Sequence, residues 1–437
     1  MAAVKKVSYM SRQNPHKLTM SNNIYFQQGE LYIEQLPVSK LIATYGTPLY
    51  IYSQQTILNC WQQYANALRA YPHWLCYAVK ANSNIGLLDL LARQGAGFDI
   101  VSGGELARCL AAKADARKIV FSGVGKEDWE IEQALAADIG CFNVESANEL
   151  TQIAAIATAQ NKVAPIALRV NPDVDPNTHP YISTGLQHNK FGIPIEQAPA
   201  LYQQAAKEPS LRITGIACHI GSQITTIKPF IDTLERLLIL SDKLQILNID
   251  IHHISVGGGL GIHYHEEKPP TPGALCAALI KTLGKRPVTL LLEPGRSIVG
   301  DAGLLATKVI QIKSNGQKQF AIVDAGMNDL IRPALYQAYH DIVAVKPSNI
   351  PTQNFDIVGP VCESSDVFAV DRTLSLQVHD YLAILQAGAY GFSMSSHYNS
   401  RPKPAEVLVA EDKAQLIRQR ETISSLFANE YLLSSQS

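Results

Sequence analysis

The 437-residue chain has no run of five or more basic residues, and its 37 Lys+Arg and 38 Asp+Glu leave a formal charge of -1. A nucleic-acid partner, which needs a concentrated cationic face, is not expected. No apolar stretch approaches the roughly 20 residues that cross a bilayer. The N-terminal MAAVKKVSYMSRQNPHKLTMSNN lacks the apolar segment of a secretion signal, so neither a membrane nor export is expected. Cysteine is sparse. Cys60, Cys76, Cys109, Cys141, Cys218, Cys276 and Cys362 are odd in number, scattered and never in CxxC spacing. That excludes a disulfide framework and points to a reducing, cytoplasmic location. Internal repeats and low-complexity tracts are also missing, and the polar first twenty or so residues are expected to be disordered.

What is present is enough apolar residue, 46%, to build large cores in more than one domain. Eight short apolar runs, bounded by Gly, Pro, Asn or Ser, read as buried parallel strands: WLCYAVKA from Trp74, GFDIV from Gly97, KIVFSG from Lys118, CFNVES from Cys141, APIALRVN from Ala164, ITGIACHIG from Ile213, DIHHISVGGG from Asp250 and VTLLLEPG from Val288. Between them, IGLLDLLARQ, GELARCLAAKA, WEIEQALAA, ELTQIAAIATA and FIDTLERLLILSDKL return apolar residues every three or four positions, as helices do. Such alternation gives a closed barrel or an open doubly wound sheet, and eight units favour closure. The expected fold is α/β, a (β/α)8 barrel over 51–295. A second, mostly β domain is expected over 296–437, completed by 21–50, where GELYIEQLPVSKLIATYGTPLYIYS reads as strand and turn. In it, Asn315-Gly316 lies between two alternating stretches as in a type I′ hairpin.

Ligands bind beyond the carboxyl ends of such strands, and chemistry-bearing residues stand there. Lys80 closes the first strand, Asp99 ends the second, Arg169 the fifth, His219 the sixth, Gly257-Gly258-Gly259 the seventh and Glu293 the eighth. A lysine at a partly dry barrel mouth loses hydration and is a candidate for a Schiff base. A glycine turn lets backbone N–H groups approach phosphate oxygens, with Ser222 adding a hydroxyl. An imidazole can stack on a pyridine ring, and a carboxylate can keep its nitrogen protonated. His219 and Glu293 suit those tasks, so the set describes a pocket for an aromatic phosphate cofactor. Taken singly, each has a structural alternative: a solvent-facing lysine, a core histidine, a glutamate paired with Arg296. GGGLGI does not match the dinucleotide fingerprint, since its third glycine position is Ile262. His252-His253 and His263-x-His265 lack carboxylates at ligand spacing and read as structural or loop histidines, so no metal is expected.

YAVKAN, GFDIVSGGEL, RVNPDVDPNTHPYISTGLQHNKFG, HIGSQ, GGGLGI, EPGR, DAGMNDLIRPALY, GPVCESSD and GAYGFSMSSHYNSRPKPAEV occur in one order from about Tyr25 to about Val409. The ordered set resembles the diaminopimelate decarboxylase family of alanine racemase-like pyridoxal phosphate enzymes. The resemblance implies that Lys80 holds the cofactor, His219 stacks on its ring and Glu293 pairs with its nitrogen. It further implies that Gly258, Gly259, Gly295, Arg296 and Tyr390 help seat the phosphate or substrate. Arg296, Arg332, Tyr336, Glu363 and Tyr390 would recognise meso-diaminopimelate, and Cys362 would supply a proton. It also implies a homodimer whose second subunit contributes Cys362 and Glu363.

The substrate has two amino acid ends, so the end away from the reaction needs a cationic clamp for its carboxylate and an anion for its ammonium. Ornithine-type enzymes share Lys80, His219, Glu293 and Cys362. Arg332, with Pro333 and Tyr336, favours the two-carboxylate substrate. A non-catalytic regulator of the same fold is the alternative of another class. Residues 171–192 are long enough to form a lid.

Overall fold

The computed structural model describes residues 20–174 and 190–433. The stretch expected to be disordered and most of the expected lid lie outside these residues. Within them the chain divides into two compact units, residues 58–299 and residues 20–57 with 300–433.

Residues 58–299 form the closed barrel. Its strands are β1 (His73–Ala78), β2 (Gly97–Ile100), β3 (Ile119–Phe121), β4 (Cys141–Val144), β5 (Ala164–Asn171), β6 (Leu211–Ala217), β7 (His253–Ser255) and β8 (Thr289–Leu292). Each pairs in parallel with its successor. The ring closes where Leu290 and Leu291 of β8 register with His73 and Trp74 of β1. Parallel strands buried on both faces need continuous apolar sequence, which is why each run could be read from composition. Cys76, Val120, Cys141, Ala167, Ala217 and Leu291 pack as one buried cluster, with Trp74 against it. Large and small side chains thus fill the lumen as a core rather than a channel.

Local signals aim the strand ends. In SGGE, Ser102 caps the helix Gly103–Ala111 by accepting from Glu105 N at 3.2 Å, while Glu105 Oε2 accepts from Val101 N at 2.8 Å. SANE repeats the device: Ser146 caps Ala147–Ala159, and Glu149 accepts from Glu145 N at 3.0 Å. Each serine satisfies an orphan amide of its helix, and each glutamate fixes the entering chain. His253 is buried and stacks on Trp74 at 5.5 Å, its pKa pushed down to about 4 by burial and by His252. It is a core residue.

The other unit is mostly β. Its main sheet runs in the order Val367–Leu374, Gln353–Val358, Lys318–Val323, Gly303–Asn315, Leu49–Ser53, Ala405–Ala410, Lys413–Arg418. Leu49–Ser53 is fully buried and pairs antiparallel with Gly303–Asn315 and parallel with Ala405–Ala410. Two local readings change. Val38–Tyr45 is a helix, not strand and turn, because Val38, Leu41 and Ile42 share one buried face. Its β-branched Val, Ile and Thr concealed that spacing. The hairpin turn falls on Gly316-Gln317, since Asn315 pairs with Lys318. Only the first of its two central residues has positive φ, 62° at Gly316, the pattern of type II′ rather than I′.

Candidate active site

Lys80 lies on a single 3-10 turn, Val79–Ala81, just beyond β1. Its Nζ donates to Asp99 Oδ2 at 2.6 Å. Asp99 is fully buried, while the lysine side chain is 37% exposed, so the carboxylate anchors a lysine that solvent still reaches.

His219 follows β6 and faces the glycine turn. Its Nδ1 accepts from Gly258 N at 3.3 Å. Burial, and then the charges of Arg169 and Lys80, hold its pKa well below the ordinary value. The ring is therefore neutral and carries its proton on Nε2, a face suited to stacking on another ring. Glu293 follows β8, and its Oε1 accepts from Ser255 Oγ at 2.7 Å. Burial, reinforced by the Asp99 charge, pushes its pKa to about 7. Ser255 in turn accepts from Gly257 N at 3.0 Å, tying carboxylate and turn together. A Cβ on Gly258 would lie 2.1 Å from Glu293 O, and one on Gly259, at φ 103°, 2.2 Å from Gly221 O. No side chain fits between the turn and its neighbours. Ser222 sits on the adjoining turn, which is pinned to the glycine turn by Ile224 N donating to Gly259 O at 2.9 Å. Gly295 precedes Arg296, whose Nη1 donates to Tyr264 Oη at 2.8 Å.

Arg169 pairs with Glu145 at 2.7 Å, both buried. Glu145 also accepts from Gly123 N and Gly192 N, each at 3.0 Å, and so joins the ends of β3, β4 and β5. Beside it the buried Lys126 Nζ meets Glu149 Oε1 at 2.6 Å and donates to the carbonyls of Gly123 and Asn143. Ser255, Tyr264, Glu145 and Lys126 escaped the sequence reading. Ser255 and Glu145 stand at the ends of β7 and β4, so the rule that found Asp99 reaches them. Nothing local marks Tyr264 or Lys126.

The remaining expected residues lie in the β unit. Arg332 opens the helix Arg332–Tyr336 and is buried; its Nη1 donates to His340 Nε2 at 2.8 Å. Tyr336 ends that helix, and Tyr390 has a left-handed backbone with φ 55°. Cys362 and Glu363 are adjacent and exposed. Cys362 N donates to Asn399 Oδ1 at 2.7 Å, and the Tyr398 hydroxyl donates to Glu363 Oε1.

The barrel residues fit pyridoxal phosphate. Asp99 Oδ1 is buried with no hydrogen-bond partner among the described residues, beside the lysine amine. Glu293 is a buried carboxylate whose ionisation is opposed by burial and by Asp99, a cost that a protonated ring nitrogen would offset. Gly258 and Gly259 stay partly exposed, with no side chain between the backbone and an approaching anion. Among the described residues no group of three or more His, Cys, Asp or Glu is placed to hold a metal.

Residues 54–300 match the family model described as pyridoxal-dependent decarboxylase, pyridoxal binding domain. The site is thus that of a pyridoxal-dependent decarboxylase of the barrel type. Diaminopimelate decarboxylase of Vibrio cholerae is 53% identical over 410 residues, covering 94% of this chain and 98% of its own. That of Pseudomonas aeruginosa is 52% identical, covering 93% and 98%. Among solved structures, diaminopimelate decarboxylase from Helicobacter pylori complexed with L-lysine superposes with a TM-score of 0.87 at 43% identity, over 90% of this chain and 98% of that one. The enzyme from M. jannaschii gives 0.90 at 39% identity, over 94% and 98%. The chain belongs to the diaminopimelate decarboxylase family.

Proposed function

We propose that the protein decarboxylates meso-2,6-diaminopimelate to L-lysine and carbon dioxide, the last step of lysine biosynthesis. The observation that carries this reading is the barrel-mouth constellation of Lys80 on Asp99, neutral His219 and buried Glu293, in a chain 53% identical to a diaminopimelate decarboxylase. Bound pyridoxal phosphate supplies the electron sink for the bonding pair left behind as carbon dioxide departs.

The chain's own groups do the rest. Lys80 holds the cofactor and later releases the product, with Asp99 orienting its amine. His219 covers one ring face, and Glu293 holds the ring nitrogen protonated. Gly258, Gly259, Gly295, Ser222, Arg169 and Tyr390 seat the phosphate and its surroundings. Arg332, with Arg296, Tyr336 and Tyr390, receives the distal carboxylate and its neighbourhood, and Glu363 receives the distal ammonium. Cys362 Sγ delivers the proton that replaces the lost carboxylate. Reaction at the D-configured centre leaves L-lysine. The active form is a cytoplasmic homodimer in which Cys362 and Glu363 reach the cofactor of the partner subunit. None of its seven cysteines is in a disulfide, and among the described residues no helix is long and apolar enough to cross a membrane.

The test is Lys80→Ala. Purified variant should lose both the long-wavelength absorbance of bound cofactor and lysine formation from meso-diaminopimelate. An unchanged spectrum with sustained lysine formation would overturn the assignment.

A further inference from the structure

The segment carrying Cys362 and Glu363 is held through its backbone, with Glu363 N donating to Val361 O at 2.8 Å and Asp366 N donating to Glu363 O at 3.1 Å, while both side chains reach solvent. Asp366 staples the base: its Oδ2 accepts from Val361 N at 2.7 Å, its Oδ1 from Met327 N at 2.7 Å, and its carbonyl from Gly359 N at 3.0 Å. Beyond that staple the two residues are exposed, and an exposed thiol and carboxylate sample many orientations unless something fixes them. The turn 398–400, some 35 residues later in the chain, supplies two fixings. Asn399 Oδ1 accepts from Cys362 N at 2.7 Å, and the Tyr398 hydroxyl donates to Glu363 Oε1.

The backbone of the turn shows why these residue types stand there. Asn399 has φ 55° and ψ 29°, and Ser400 has φ 52°. Asparagine tolerates this left-handed region better than most residues and brings an amide acceptor to it. Tyrosine is a neutral donor: it orients the Glu363 carboxylate without cancelling its charge, which stays available to an ammonium group.

We infer that Asn399 and Tyr398 are positioning residues of the decarboxylase, Asn399 anchoring the Cys362 backbone from which the thiol is presented and Tyr398 aiming the Glu363 carboxylate. The inference rests on the roles proposed for Cys362 and Glu363. It predicts a division of labour. Loss of the Asn399 acceptor should lower kcat, because proton delivery suffers. Loss of the Tyr398 hydroxyl should raise KM for meso-diaminopimelate, because the distal ammonium is held less well.

The experiment uses full-length holoenzyme and four variants. Asn399→Gly keeps the left-handed backbone and removes the acceptor, whereas Asn399→Asp keeps an acceptor. Glycine should lower kcat about tenfold, the worth of one net hydrogen bond, with KM little changed. Aspartate should restore most of the rate. Tyr398→Phe should raise KM about tenfold with kcat nearly intact. A readout independent of turnover is iodoacetamide labelling of Cys362, followed by peptide mass spectrometry, which should accelerate in the glycine variant and not in the aspartate variant.

Cys362→Ala separates the possible failures. If it abolishes turnover while Asn399→Gly matches wild type in kcat and labelling, the positioning role is wrong and the role of Cys362 stands. If Cys362→Ala turns over normally, the role of Cys362 is wrong, and the inference falls with it.

Discussion

His340 gives the proposed carboxylate clamp its direction. The ring is fully buried, with Nδ1 at 2.8 Å from Leu385 O and Nε2 at 2.8 Å from Arg332 Nη1. A carbonyl can only accept and a guanidinium can only donate, so Nδ1 carries the proton and Nε2 is the acceptor. A neutral partner orients Arg332 without neutralising it. His340→Leu should raise KM for meso-diaminopimelate about tenfold and leave the cofactor spectrum unchanged; an unaltered KM would show that Arg332 is held in other ways. Glu293 makes a second prediction. Its pKa is raised from 4.5 to about 7, so its favourable contribution to folding is complete below about 4.5 and is lost as pH rises through 7. In cofactor-free protein, Glu293→Gln should therefore gain thermal stability relative to wild type between pH 5 and pH 8. A difference independent of pH would contradict the burial argument. Lys80, Asp99, His219 and Glu293 were legible in the sequence because each closes a short apolar run. His340 and Asn399 were not, because their partners lie on the far side of a turn or 37 residues away in the chain.

Glu145 is the carboxylate that ties β5 to the ends of β3 and β4. Glu145 receives Arg169 and two backbone amides, so Glu145→Ala would leave a buried guanidinium unpaired. Breaking a buried pair in this way costs about 3–5 kcal/mol. Urea unfolding should show a loss of that size, accompanied by weaker cofactor retention; a loss below about 1 kcal/mol would mean that the joint is replaceable. The barrel strands could be read from the chain because burial on both faces demands unbroken apolar sequence. Val38–Tyr45 was misread because eight residues show only two helical turns, and β-branched residues at Val38, Ile42 and Thr44 imitate a strand. The hairpin was placed one residue early because an Asn-Gly pair satisfies more than one turn register, and the cross-strand partners decide between them.

The division of residues between two units makes a prediction about assembly. Lys80, His219 and Glu293 belong to residues 58–299, whereas Arg332, Cys362, Glu363 and Tyr390 belong to the unit completed by residues 300–433. If active sites are shared across a dimer, Lys80→Ala and Cys362→Ala subunits, each inactive alone, should regain activity when mixed under exchange. Random pairing would restore about a quarter of the wild-type rate, from one intact site in each mixed dimer. No recovery, with exchange demonstrated, would place each site within one chain. The central claim, the identity of the substrate, is tested most directly by carbon dioxide release from purified protein supplied with pyridoxal phosphate, comparing meso-diaminopimelate with L-ornithine, L-arginine and L-lysine. Release from meso-diaminopimelate alone, with L-lysine as the product, is the expected result. Release from one of the other amino acids in its place would contradict the assignment of Arg332 and Glu363 to a two-ended substrate.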